Sequence, residues 1–153
     1  MPLNRRSVAL LSSATCLLIP GLLLPILEVN STHLFHPDWP PHARMHEAWQ
    51  LITNGAFAWV GLAIACTNPE SRVPHGIGLT ISASFVAAWI LRDQYGGTMG
   101  DASSANLAIA GFDVAVIVMG IASVLHVIGF ATRNPKTEES ASNPRDTLPP
   151  GDA

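Results

Sequence analysis

Four long apolar blocks, separated by short polar connections, constrain this chain more than any other feature. The first, Val8 to Leu27, runs twenty residues without a charge. The second runs from Ala48 to Cys66, with Gln50, Thr53 and Asn54 as its clearly polar interruptions. The third covers about residues 76–91, and the fourth about 107–130, broken by Asp113 and His126. A helix needs about 20 apolar residues to cross the hydrocarbon core of a bilayer, and a backbone in lipid must satisfy its own hydrogen bonds. The expectation is an all-α fold, an integral membrane four-helix bundle in residues 1–132, with spans at about 8–27, 42–66, 75–92 and 105–130. The third span is long enough only if Pro74, His75 and Arg92 stand at the interfaces.

The competing reading of the first block is a cleaved signal peptide, because Arg5 and Arg6 precede it. Its length, Pro20 and Pro25 in its second half, and the lack of a convincing small-x-small site favour retention as an anchor. Cys16 and Cys66 both lie inside apolar segments, where a free cysteine acts as a small hydrophobe, so no disulfide framework is expected. Net charge is −3, which gives nucleic acid no electrostatic footprint. Residues 133–153 are rich in Pro, Ser, Thr and charge, and read as a disordered tail.

Basic residues beside short loops set the orientation of a multi-pass protein. Arg5 and Arg6 precede the first span, Arg72 lies between the second and third, and Arg133, Lys136 and Arg145 follow the fourth. Four crossings put all three regions on one side, so both termini and the tail are expected in the cytoplasm. Arg44 and Arg92 dissent, each with an acid nearby: Glu47 three residues on, and Asp93 adjacent. The first and third connections then share the opposite face, which gathers most ionisable groups at one end of the bundle.

That end is dominated by Glu28 to Glu47, which holds four of the six histidines, three carboxylates and an arginine, in a chain only 12% charged. Pro40 and Pro41 suit a helix's first turn, where a missing N–H costs nothing. From Pro41 the helical pattern continues unbroken to Cys66, so His42 and His46 share a face with Trp49 and Thr53. A second stripe, Glu47, Gln50 and Asn54, lies a quarter to a third of a turn round.

Three readings compete. His42 and His46, with His33 or His36 and a carboxylate from Glu28 or Glu47, would bind a divalent metal such as zinc or iron. The same histidines and acids would instead do acid–base chemistry, since partial burial moves a pKa toward neutrality. Or they would be plain interfacial residues meeting water and lipid headgroups. The formal sequon Asn30-Ser31-Thr32 lies close to the end of the first span.

Asp113 is expected about six residues into the fourth span, where an acid faces the bundle interior. It either belongs to a packing seam with Asn106, Ser103, Ala110 and Gly120, or projects toward Glu47 and Asn54 beneath the histidines. Arg92, Asp93 and Tyr95 close the third span before a glycine-rich turn, as interface anchors or as a grip on substrate. His126 reads as structural.

The run Glu28-Val-Asn-Ser-Thr-His33-Leu-Phe-His-Pro-Asp-Trp39-Pro-Pro-His42-Ala-Arg-Met-His46 resembles a signature of a family of small four-span integral membrane proteins. Its members in fungi and bacteria carry an acidic residue, then Thr-His, then W-P-P-H-A-(R/K)-x-H at the start of the second helix. The resemblance covers the first connection and second helix, implies the four-span layout and brings no activity with it. A looser similarity, in size and span count alone, is to sterol-isomerase-like and DoxX-like membrane proteins; fold does not imply function.

The leading expectation is a bilayer-embedded enzyme of isomerase, cyclase or hydrolase type acting on a lipophilic small molecule. His42 and His46 would be acid and base, Glu28 and Glu47 would orient them, and Arg44 and Asp113 would complete the catalytic group. His33, Trp39, Trp49, Asn54, Arg92 and Asp93 would bind substrate. The alternatives are a metal site on His42, His46 and His33, and a non-catalytic subunit or small-molecule carrier.

Overall fold

The computed structural model describes residues 13–14, 16–99, 108–109 and 112–132. Arg5, Arg6, the start of the first apolar block, Asp101, Ser103, Asn106, Ala110, and the tail with Arg133, Lys136 and Arg145 lie outside the described residues. The described fold is mainly helical: α1 (Cys16–Glu28), α2 (Pro41–Thr67), α3 (Val73–Tyr95) and α4 (Val114–Thr132). A small antiparallel hairpin, β1 (Ala108–Ile109) with β2 (Phe112–Asp113), precedes α4. By length and composition α2, α3 and α4 could each cross a membrane, and α1 is a shorter apolar helix.

Two prolines shape α1. Leu24 donates its N–H to the Ile19 carbonyl five residues back, so Ile19–Leu23 forms a widened π turn around Pro20. Pro25 has no N–H to give the Gly21 carbonyl, its partner in a regular helix. The Trp59 indole of α2 fills that role, donating Nε1–H to the Gly21 oxygen at 3.0 Å. An orphaned carbonyl is thereby satisfied across the α1–α2 contact.

The buried residues of α2 are all small: Gly55, Ala58, Gly61 and Ala65, three or four apart on one face. Small residues let helix axes approach closely, as in helix pairs that associate in lipid. Leu17, Ala58, Ile81 and Met119 form the core where the four helices meet. Large apolar side chains point outward instead, among them Ile52 and Val60 on α2 and Ile121, Val124 and Ile128 on α4.

Local chemistry sets the helix ends. Ser71 Oγ accepts the Val73 N–H at 3.2 Å, and Pro74 occupies the first turn of α3. At its other end Gly96 takes a left-handed φ of 70°, and both Gly96 and Gly97 donate to the Arg92 carbonyl. The fourth helix departs from expectation. It begins at Val114, not near residue 105, because Asp113 Oδ1 accepts the Ala115 N–H at 2.8 Å and caps it.

α3 and α4 pack antiparallel along a polar seam. Ser123 Oγ donates to Ser82 Oγ at 2.9 Å, and further down the seam His75 meets His126.

Candidate functional site

The first connection is folded by Asn30. Its Oδ1 accepts the backbone N–H groups of Thr32 at 2.7 Å and His33 at 3.2 Å, while its amide donates to the Leu27 carbonyl. This turn reverses the chain off α1 and lays His33 against Glu28, Nε2 to Oε2 at 3.4 Å. The Thr32 hydroxyl donates to Asn30 Oδ1 at 2.7 Å and stands 2.9 Å from His33 Nδ1. With that hydroxyl proton committed, the Thr32 oxygen can only accept from His33 Nδ1, and Nε2 is the ring atom turned to Glu28.

Glu47, from the second turn of α2, lies within electrostatic reach of both Glu28 and His33. Two carboxylates therefore share one imidazole. Glu28 follows the uncharged run that ends at Leu27, and burial raises its carboxyl above the ordinary carboxylate value. The His33 charge opposes that rise, and the Glu47 charge adds to it.

His42 and His46 meet each other, Nε2 to Nε2 at 3.0 Å and edge to face at 4.4 Å between ring centroids. Trp49 stands a turn below, its ring centroid 6.0 Å from that of His46. This pair is exposed. His33 turns to Glu28 and does not complete a ligand set with them. Among the described residues, no three His, Cys, Asp or Glu side chains converge in a group that could hold a metal ion.

The arginines are occupied structurally. Arg44 donates Nε–H to the Trp39 carbonyl at 3.1 Å, not to Glu47, and Trp39 stacks on His36 at 6.2 Å. Arg92 lies 4.7 Å over the Trp89 ring, donates to the Trp89 carbonyl at 2.9 Å, and pairs with Asp93 at 3.7 Å. Trp89 also meets Phe112 of β2 at 6.1 Å, which ties the hairpin to the end of α3. Asp93 is otherwise solvent-facing, its side chain 85% exposed. Asp113, placed by its spacing inside the bundle, is the cap of α4.

Beneath this mouth lies a cavity of about 670 Å³ between α2 and α3, with Leu24 and Met119 contributing from α1 and α4. Leu24 is one turn before Glu28, and Gln50 is one turn after Glu47. Both carboxylates thus stand a turn above the cavity's rim. Gln50, Thr53 and Asn54 line one wall and Thr80 and Ser84 the other, with Phe57, Ile77 and Val73 further down.

A second polar group lies at the opposite end and was largely missed from sequence. Ser13 Oγ stands 3.2 Å from His75 Nε2, and His75 Nδ1 stands 3.3 Å from His126 Nδ1. All three side chains are 1% exposed, so His75 is an interior residue and not an interface one. The His126 ring fills the space a side chain at Gly78 would need, and the His75 ring does the same at Gly129. One signal could have found this. His75 and Gly78, and His126 and Gly129, are the same His-x-x-Gly pattern on two antiparallel helices, each ring seated on the other helix's glycine.

Comparison of the chain with protein-family models, with curated proteins and with solved structures returns no match.

Proposed function

We propose that this is a multi-pass membrane protein that spans the bilayer four times, with both termini in the cytoplasm. In it, Glu28, His33 and Glu47 move protons to and from a lipophilic small molecule held in the cavity below. The observation that carries this reading is the position of the two carboxylates, one turn above the rim of a cavity of about 670 Å³. Small-molecule sites have volumes of about 300–1,000 Å³, with a few polar groups among apolar ones. The outward-facing large apolar side chains support the membrane assignment, as do three helices of spanning length.

In the proposed chemistry an ionised carboxylate accepts a proton from the substrate, and the His33 imidazolium returns one elsewhere on the molecule. Such an exchange leaves the protein's proton count unchanged and isomerises the substrate. Glu28 stands 3.4 Å from His33 Nε2, and burial raises its carboxyl above the ordinary carboxylate value, which suits it to hold and release a proton. The exposed His42–His46 pair suits exchange with water above this group.

The test reconstitutes the full chain in vesicles with a lipid extract and D2O, and follows deuterium entering carbon positions by mass spectrometry. Wild-type protein accelerates uptake into one lipophilic component. Glu28→Gln and Glu47→Gln lose at least about 100-fold of that rate, within the range general acid–base groups contribute, while still inserting and folding. Uptake no faster than in protein-free vesicles, or full turnover in both variants, removes the proposal. Labelling of cysteines introduced at Asp38 and Gly97 checks the topology, and the four-span arrangement requires both to react from the same face of sealed vesicles.

A further inference from the structure

The polar wall of the cavity identifies the ligand more closely than the mouth does. Gln50, Thr53 and Asn54 recur at i, i+3 and i+4 on α2, and all three line the cavity. Among the described residues their side chains have no hydrogen-bond partner in the protein, and all three retain exposed surface. Asn54 stands at the midpoint of Pro41–Thr67, about 20 Å from either end at 1.5 Å per residue. In the proposed bilayer that is the middle of the hydrocarbon, where an unsatisfied amide costs several kcal/mol. Gln50 lies a turn nearer the rim and faces the same cavity, so the Asn54 amide, with Gln50 above it, calls for a partner inside it.

The opposite wall has a different hydrogen-bonding character. Thr80 donates its hydroxyl proton to the Gly76 carbonyl at 2.9 Å, and Ser84 donates to the Thr80 carbonyl at 2.6 Å. Both hydroxyls have spent their proton on their own helix and offer only lone pairs to the cavity. The amides of Gln50 and Asn54 offer N–H donors and a carbonyl acceptor each. Among the described residues no charged side chain lines the cavity.

We infer that the cavity binds an uncharged lipophilic alcohol. Its hydroxyl accepts from the Gln50 and Asn54 amides and donates to the Thr80 or Ser84 oxygen, and its hydrocarbon lies along Phe57, Ile77 and Val73. A ketone or ether satisfies the amides but leaves the Thr80 and Ser84 lone pairs without a donor. A carboxylate buries a charge with no cation to meet it. The inference rests on the proposed membrane placement and names the substrate class for the proton-transfer group, whose carboxylates would then lie about one to two turns from the bound hydroxyl.

The experiment measures equilibrium binding of three probes with one skeleton, farnesol, farnesyl methyl ether and farnesoic acid, to the full chain in nanodiscs at neutral pH. Farnesol binds saturably, one per chain, the ether at least tenfold more weakly, and the acid weaker still. Asn54→Leu and Gln50→Leu each weaken farnesol at least tenfold and narrow the gap between alcohol and ether, a change that simple loss of fold does not produce. Equal binding of all three probes, or farnesol binding indifferent to Asn54→Leu and Gln50→Leu, overturns the assignment. Deuterium exchange is a separate readout: selective farnesol binding without exchange supports this inference and removes the proton-transfer reading. Exchange without preference for the alcohol does the reverse.

Discussion

The two ends of this molecule each hold histidines, and they are built on opposite principles. At the mouth, His42 and His46 touch across one turn of a single helix, and His33 meets Glu28 five residues away. At the other end, His75 and His126 lie 51 residues apart in sequence and join Ser13 of the first apolar block in a string that pins three segments together. The mouth pairs are local and wet, so little of the fold depends on them and their protons exchange with water. The buried string is long-range and dry, and each of its members leaves a partner stranded if removed. Residue type alone therefore says nothing about role here; what separates the clusters is burial and sequence separation.

The largest expected effects lie at the buried end. Gly78→Ala and Gly129→Ala drive a methyl into the His126 and His75 rings, and should each cost about 3 kcal/mol, the upper part of the range for overpacking. Denaturant titration in detergent micelles measures this. Pairing Gly78→Ala with His126→Ala should recover part of the loss, and a strictly additive double variant breaks the ring-on-glycine account. His75→Leu strands His126 Nδ1 and removes the Ser13 contact, for about 1–3 kcal/mol.

Between the extremes lies Trp59→Phe, which takes the only described side-chain donor from the Gly21 carbonyl and should cost about 1 kcal/mol. The smallest stability effects belong to the mouth. His42→Ala and His46→Ala should change stability by less than about 0.5 kcal/mol, the scale of exposed pairs one helical turn apart. A loss as large as that of His75→Leu would erase the distinction between the two ends. The mouth shows itself in pH dependence instead. Because Glu28 is raised, exchange that needs its carboxylate is fully present well above that raised value and falls as pH drops through it. The midpoint should lie above that of an ordinary glutamate, and His33→Gln, which removes the opposing charge, should shift it higher still.

Much of the helical layout was legible because it rests on runs of residues. Pro41 to Thr67 and Val73 to Tyr95 are written as largely apolar stretches opened by proline, with their charges confined to the ends at Arg44 and Glu47 and at Arg92 and Asp93, and the second ends at Gly96, which supplies a left-handed φ. The start of α4 was not legible by that route, since residues 107–112 are as apolar as the helix that follows. Asp113, read by its depth in an apolar run as an interior acid, acts through a single side-chain bond to Ala115 that composition cannot reveal. The Glu28, His33 and Glu47 grouping was half visible, in that the residues were named. The turn that joins His33 to Glu28, and not to His42 and His46, depends on Asn30, which the sequence had marked only as part of a sequon. His75 and His126 were hidden for a different reason: their partners are glycines, whose contribution is the space they leave.

The wide turn at Ile19–Leu23 sets the angular phase between the two halves of α1. Below it Leu17 seats on Gly61 of α2; above it Leu24 faces the cavity and Glu28 faces His33. Taking one residue out of that turn would swing the upper half by about 100°, the angle of one helical residue, and carry Glu28 away from its imidazole while the lower half stayed in place. The bulge thus works as an alignment shim: it lets a single helix grip its neighbour in one direction and aim an acid in another.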